Sequence, residues 1–355
     1  MSEESTIKYS LVDYCYQDFN KSELYKTDFI RSISKEYNPI ITIIHHTDLD
    51  GICSAQILKE FCYRVLNAIN VCLVAYNYQK NFDFNDHIDV NSNYIIAVDL
   101  SLKYTDWHNI FFNKDVYRKG LWLDHHIGSI REVYDNEDLF SDLPLEKFLD
   151  INGCGTAIAY HLTKAFYSDI KFVSFGKLFN DNAIRLVDVY DRWIENNEKY
   201  FADCLNRYAY ASDQLFVDSD IIKNILLEGP DNILNKALTD GNTFLQLEKE
   251  RNKFRFDKFH KDLILHTPDG KEYKSCVVWG SGNSQLFGDH INEYDVVIRA
   301  TRTDNGDYYF SFYTVKEDID CCEIAKLYQG SGHRASAGCM TTYNILNKKW
   351  KRELI

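Results

Sequence analysis

Apolar and polar positions alternate with different periods along the chain. Residues 1–38 are polar and Tyr-rich, and DYCYQDFNKSELYKTDFIRSI within them predicts a helix or two. Four short apolar runs follow: IITIIH (40–45), VCLVAY (71–76), YIIAVDL (94–100) and GLWLDHH (120–126). Between them lie stretches such as GICSAQILKEFCYRVLNAI, with apolar residues at helical spacing. Strands apolar on both faces and alternating with helices predict an α/β fold, a parallel sheet with helices on both faces. Residues 154–194 predict two helices, CGTAIAYHLTKAFY and GKLFNDNAIRLVDVYDRWI, and 203–228 continues helical. A charged helix over 235–263, with Gly241 early in it, predicts a connector. Beyond it the period returns to two. KSCVVWG, YDVVIRAT and DYYFSFYTV read as strands, followed by a helix in CCEIAKLYQ and the loop GSGHRASAG. The chain thus divides into an N-terminal extension (1–38), a sheet domain (39–234), a helical linker (235–263) and a smaller α+β domain (264–355) across a cleft.

Composition narrows the function. The chain has 355 residues, enough for two domains, and only 4 Pro, which argues against Pro-rich linkers. Lys and Arg number 40 against 53 Asp and Glu, a net charge of −13. Coating long duplex nucleic acid needs a broad basic surface, so that role is excluded, whereas a short phosphorylated substrate held by a metal is not. The 10 Cys include no C-x-x-C pair and mostly sit in apolar runs, which predicts reduced thiols in a cytoplasmic protein. The N-terminal MSEESTIKYS lacks the basic-then-apolar order of a signal peptide, and no apolar run is long enough for a membrane span. The sequence leaves a homodimer open.

Three of the predicted strands end in acidic residues or His, and ligands in such sheets bind at the carboxyl ends of strands. His45-His46-Thr47-Asp48-Leu49-Asp50-Gly51 follows the first strand and opens a helix. Two Asp spaced by one residue can both turn to a cation, and oxygen ligands with an imidazole suit manganese or magnesium. The plainer reading is an N-capping Asp with a solvated neighbour. Asp99 closes a second strand, and Asp124-His125-His126 closes a third, where Asp124 is placed to orient an imidazole. Asp188 and Asp191 share a helix face, where either could instead pair with Arg185 or Arg192. Asp48, Asp50, Asp99 and Asp191 at one sheet edge would repel one another, and two divalent cations would cancel that charge. Such a pair suits phosphoester hydrolysis without a covalent nucleophile. No G-x-S-x-G, Walker loop or G-x-G-x-x-G is present. Near the C-terminus, Gly330-Ser331-Gly332-His333-Arg334-Ala335-Ser336-Ala337-Gly338 combines small residues with donors suited to an anion.

HTDLDG, VDLS, LDHH, the helix ending DVYDRW and the terminal GSGHRASAG, in this order over roughly residues 40–340, resemble the DHH phosphoesterase superfamily with its DHH-associated C-terminal domain. Within it the chain is most similar to nanoRNase-like and oligoribonuclease-like members. It is less similar to RecJ-type exonucleases, which carry extra nucleic-acid-binding parts. The resemblance implies a two-manganese phosphodiesterase, with magnesium as the alternative ion. His46, Asp48 and Asp99 would hold one metal, and Asp50, Asp99, His125 and Asp191 the other. His126, backed by Asp124, would face the scissile phosphate, and Gly330, Ser331, Gly332, His333 and Arg334 would grip the far end of a short oligonucleotide or dinucleotide. Ser331 departs from the family's usual three glycines, and Tyr313 in Ser311-Phe312-Tyr313 stands where related proteins often have Arg. Other substrates of the same chemistry are cyclic dinucleotides, nucleoside 3′,5′-bisphosphates and polyphosphate. Rival readings are a single-strand exonuclease and a catalytically silent nucleotide-binding module.

Overall fold

The computed structural model describes residues 28–33, 35–78, 82–112, 116–167, 179–211, 215–226, 231–303 and 305–347. The chain forms two compact units, Met1–Phe244 and Leu245–Ile355. Of the expected N-terminal helices only α1 (Asp28–Ile33) falls within the described residues. The first unit continues with β1 (Ile40–His46), α2 (Leu49–Arg64), β2 (Asn70–Tyr76), β3 (Tyr94–Val98), α3 (Tyr104–Phe112) and β4 (Lys119–Asp124). Two short helices, α4 (Ile127–Asp135) and α5 (Glu137–Ser141), lead to β5 (Leu145–Leu149). Four helices follow: α6 (Gly155–Tyr167), α7 (Asp181–Asp191), α8 (Lys199–Ala211) and α9 (Asp220–Leu226).

The five strands form one parallel sheet in the order β2-β1-β3-β4-β5. Side chains alternate between its faces, which explains why its central strands are apolar throughout. Ile41, Ile43, Ile96, Val98, Leu121 and Leu123 join one core with α2, α6 and α7. Ile44, Ile95, Ala97 and Trp122 join another, with Trp107, Ile110 and Phe111 of α3. Because β2 and β3 lie on opposite sides of β1, the connections leaving β1 and β3 diverge. Such a switch point opens a crevice at the carboxyl ends of the strands. Every motif read from the first unit lies at this edge or on a helix beside it.

The connector is α10 (Asp231–Phe259), and the boundary between the two units falls within it. The sequence pattern had extended this helix to 263, but β6 (Lys261–His266) already begins there. The second unit continues with β7 (Glu272–Trp279), β8 (Val296–Arg302), β9 (Tyr308–Tyr313), α11 (Cys321–Lys326), β10 (Ser331–Gly332) and β11 (Ser336–Thr341). They form a mixed sheet in the order β10-β11-β9-β8-β7-β6, in which only the β7–β8 pair is parallel. One face packs on α11 through Ile298, Phe310, Phe312 and Ile324. On the other, Val297 and Tyr313 join Phe256, Leu286 and Phe287. All nine described cysteines are free, and Cys15 lies outside the described residues. No described helix is long and apolar enough to cross a membrane.

Candidate metal centre

The site is built where β1, β3 and β4 end. After β1, Asp48 takes an extended conformation as the N-cap of α2, and its Oδ1 accepts from the Gly51 N–H at 2.9 Å. Its other oxygen, Oδ2, lies 2.9 Å from His46 Nδ1. Capping and site-building are therefore done by the two oxygens of one carboxylate. Burial pushes the Asp48 carboxyl up, but the hydrogen bond and charge of His46 outweigh it and hold the carboxyl at about 2. His45 is buried with Nδ1 2.7 Å from the His46 carbonyl, so of the two adjacent imidazoles it is His46 that faces the acids.

Asp50 is buried in the first turn of α2, and each of its carboxylate oxygens accepts one backbone N–H. The Gly155 N–H donates to Oδ2 at 2.7 Å and the Thr156 N–H to Oδ1 at 2.8 Å. These are N-terminal amides of α6, which lack intrahelical acceptors and favour an anion. The approach is tight: a Cβ on residue 155 would come within 2.8 Å of the Asp99 Cβ and 3.1 Å of Asp50 Oδ2.

Asp99 follows β3 with φ +56, a left-handed conformation that Asp tolerates better than most residues. Its N–H still reaches the Leu123 carbonyl at 2.9 Å, extending the β3–β4 ladder. Its Oδ1 lies 3.3 Å from His125 Nε2, and its Oδ2 lies 3.9 Å from His46 Nδ1. Both Asp99 Oδ2 and His125 Nε2 are buried without a hydrogen bond. Burial, then the charges of Asp50, Asp48, Asp191 and Asp124, raise the Asp99 carboxyl well above its ordinary value. Burial and the charges of Asp50 and Asp48 do the same to Asp191.

Asp191 closes α7 with Oδ2 3.2 Å from His125 Nε2. Asp188, one turn earlier, is committed elsewhere. It accepts from Arg192 at 2.8 and 2.7 Å and from the Cys154 N–H at 2.8 Å. Asp124 is fully buried behind the imidazoles. It takes the His126 Nδ1 contact at 2.7 Å, the His125 N–H at 2.9 Å and the Ser129 hydroxyl. Burial alone would lower the pKa of His126, but the charge and hydrogen bond of Asp124 prevail and raise it to about 9.

Three sets of donor atoms lie within 4.8 Å of one another: His46, Asp48 and Asp99; Asp50, His125 and Asp191; and Asp99, Asp124, His125 and His126. Orphaned buried donors, converging carboxylates and an oxygen-rich set with imidazoles fit divalent cations. All six residues expected to ligate, with His126 and Asp124, meet at this sheet edge. Gly155, Thr156 and Ser129, which hold the acids in place, were not singled out from the sequence. Their only signal there is a Gly-Thr pair opening a helix.

The remaining expected site residues belong to the second unit. Ser331 and Gly332 form β10 and pair with Gly338 and Ala337, with Gly330 just before. His333 and Ser336 close a turn through backbone bonds of 2.7 and 3.2 Å. Arg334 Nη1 donates to the carbonyls of Lys316, Glu317 and Ile319 at 2.8, 3.3 and 3.3 Å, anchoring the turn before α11.

No family model matches the chain, and no curated protein matches it. Solved structures do. A DHH-domain member of the s1p family of ribosomal proteins superposes with a TM-score of 0.55 at 13% identity, over 91% of this chain and 88% of its own. The exonuclease RecJ bound to manganese superposes with a TM-score of 0.50 at 12% identity, over 90% and 89%. The chain carries the DHH fold. At these identities the likeness concerns the fold of both units, and the chemistry must be argued from the DHH-fold residues themselves.

Proposed function

We propose that the protein is a divalent-metal-dependent phosphodiesterase acting on short oligonucleotides or dinucleotides. The observation that carries this reading is Asp99, a buried carboxylate that reaches toward both donor groups, with Oδ1 3.3 Å from His125 Nε2 and Oδ2 3.9 Å from His46 Nδ1. His46, Asp48 and Asp99 would hold one ion, and Asp50, Asp99, His125 and Asp191 the other. Manganese is the favoured ion, supported by the manganese-bound exonuclease of the same fold, with magnesium the alternative. When bound, such ions provide a nucleophile from water at neutral pH and stabilise charge on phosphoryl oxygens.

The chain's own residues supply the rest. Asp124 occupies His126 Nδ1 and its charge favours the imidazolium, which suits His126 to a phosphoryl oxygen. The α6 amides fix Asp50 before substrate arrives, so no reorganisation is needed at the moment of reaction. A net charge of −13 favours short substrates over long strands. In the second unit, Gly330, Ser331, Gly332 and His333 remain candidates for the far end of the substrate. The free cysteines support a cytoplasmic setting.

The test is a panel comprising a dinucleotide, short RNA and DNA strands, a cyclic dinucleotide, a nucleoside 3′,5′-bisphosphate and polyphosphate. Each is incubated with the protein and either manganese or chelator, with products identified by mass. Manganese-dependent cleavage of the linear short substrates supports the reading. Cleavage of none, or cleavage that survives chelation, refutes it.

A further inference from the structure

We propose that the exposed face of α10 is a self-association surface, on which the same helix of a second copy of the chain docks antiparallel.

Helix α10 carries two rows of side chains at helical spacing. Ala237, Gly241, Leu245, Asn252 and Phe256 form an inner row and are buried. Phe244, Leu247, Arg251, Phe254 and Lys258 form a second row, and every member of it is exposed. All of this row but Phe244 belongs to the second unit. Its steps are three and four residues in turn, so its side chains share one face of the helix. Leu247 is 60% and Phe254 59% exposed, and the Phe254 ring meets that of Phe259, itself 55% exposed, edge-to-face with 6.5 Å between centroids. A helix buried along one row alone keeps its other faces polar. Alternating steps of three and four with apolar side chains are the spacing by which one helix packs along another.

The charges along the row fix the direction of the second helix. Its first half, 244–250, carries Glu248 and Glu250 against one base, Lys249. Its second half, 251–258, carries Arg251, Lys253, Arg255 and Lys258 against one acid, Asp257. Glu250, Arg251 and Lys258 make no ion pair among the described residues, whereas Lys236 and Asp240 on the same helix pair at 2.7 Å. A parallel copy would set each half against its like. An antiparallel copy sets acidic against basic, with Phe254 on Phe244 and Arg251 on Leu247, its guanidinium beside Glu248 and Glu250. The net charge of −13 repels a second copy in general, so close approach needs a local match of this kind. The row runs about 21 Å along the helix, a short contact that suits a weak, reversible dimer.

The test is sedimentation equilibrium of the full-length protein at concentrations up to roughly 100 μM, where a reversible micromolar dimer is populated. The wild type should approach the dimer mass. Leu247→Lys sets a second cation against Arg251 of the other copy and should weaken the dimer by on the order of tenfold or more. Glu250→Lys and Arg251→Glu should each weaken it as well. An equimolar mixture of these two variants should associate more tightly than either alone, because in the antiparallel arrangement each altered charge then meets its opposite. All three side chains are exposed, so the fold of the monomer does not depend on them. A wild type that stays monomeric throughout this range overturns the inference. So does Leu247→Lys protein that dimerises as tightly as the wild type, or a mixture that associates no better than its components. Neither metal nor substrate enters the measurement, so its outcome is separate from that of the catalytic reading.

Discussion

Asp188 and Asp191 look equivalent in the sequence, three residues apart on one helix, but their surroundings give them different work. Asp188 pairs with Arg192 and caps the Cys154 N–H, whereas Asp191 faces His125. Asp188→Ala should therefore cost stability, about 1–3 kcal/mol for unsatisfied buried partners, and leave metal affinity largely intact. Asp191→Ala should lose metal and keep the melting temperature of the metal-free protein. Melting curves and metal analysis on both variants decide, and the opposite pattern would exchange the two roles. Metal-free protein should also carry a pH signature. Asp99 and Asp191 have carboxyls raised by burial and like charge, and His126 is raised to about 9. A group with a raised folded pKa binds more protons folded than unfolded, so its stabilisation is lost as pH rises through the folded value. His125 and His45, lowered chiefly by burial, act oppositely, but only below about 6.5, their unfolded value. Between roughly pH 7 and 9 the melting temperature in chelator should therefore fall, and manganese should reverse the fall. A flat or rising profile would contradict the charge cluster. Residue types and order were legible in the sequence because carboxylates and imidazoles at strand ends have few other uses. The preference for His46 and Asp191 over their neighbours rested on the family resemblance, since residue type alone does not say which partner lies across the fold.

At the scale of elements, the N-terminus of α6 does what no single side chain announces. Its amides bind Asp50, and the Cys154 N–H just before it binds Asp188, so one helix start fixes two carboxylates from α2 and α7. Gly155→Ala would drive a Cβ toward Asp99 and Asp50. It should lower manganese affinity at least as strongly as it lowers stability, because the displaced atoms are the proposed ligands. A variant with native metal affinity would show that the site can yield there. The sequence revealed this helix by its apolar spacing, but not its role as an anion clamp, because backbone amides leave no trace in residue type. The four apolar strands were equally legible. The fifth, β5, was not: LEKFL places Glu146 and Lys147 mid-strand, as an edge strand allows, and so breaks the apolar run. The end of α10 was overrun because Lys261 and Asp262 continue its charged pattern into β6.

At the scale of the whole molecule, the acidic balance limits what the site can be offered. A chain of net charge −13 repels additional phosphates beyond those held by metal and a few donors. Catalytic efficiency on single strands should peak at about two to five nucleotides and fall with length, and the salt slope of binding should match only a few phosphate contacts. Efficiency that climbs steadily with length would favour the exonuclease rival. The most direct test of the central claim is turnover of a dinucleotide followed against manganese bound per chain, for metal-stripped wild type and Asp99→Asn. The account predicts that the wild type takes up two ions, that turnover rises with the second, and that Asp99→Asn loses both uptake and turnover. Turnover by wild-type protein that has bound no metal, or an Asp99→Asn variant that binds two ions and turns over normally, would contradict it.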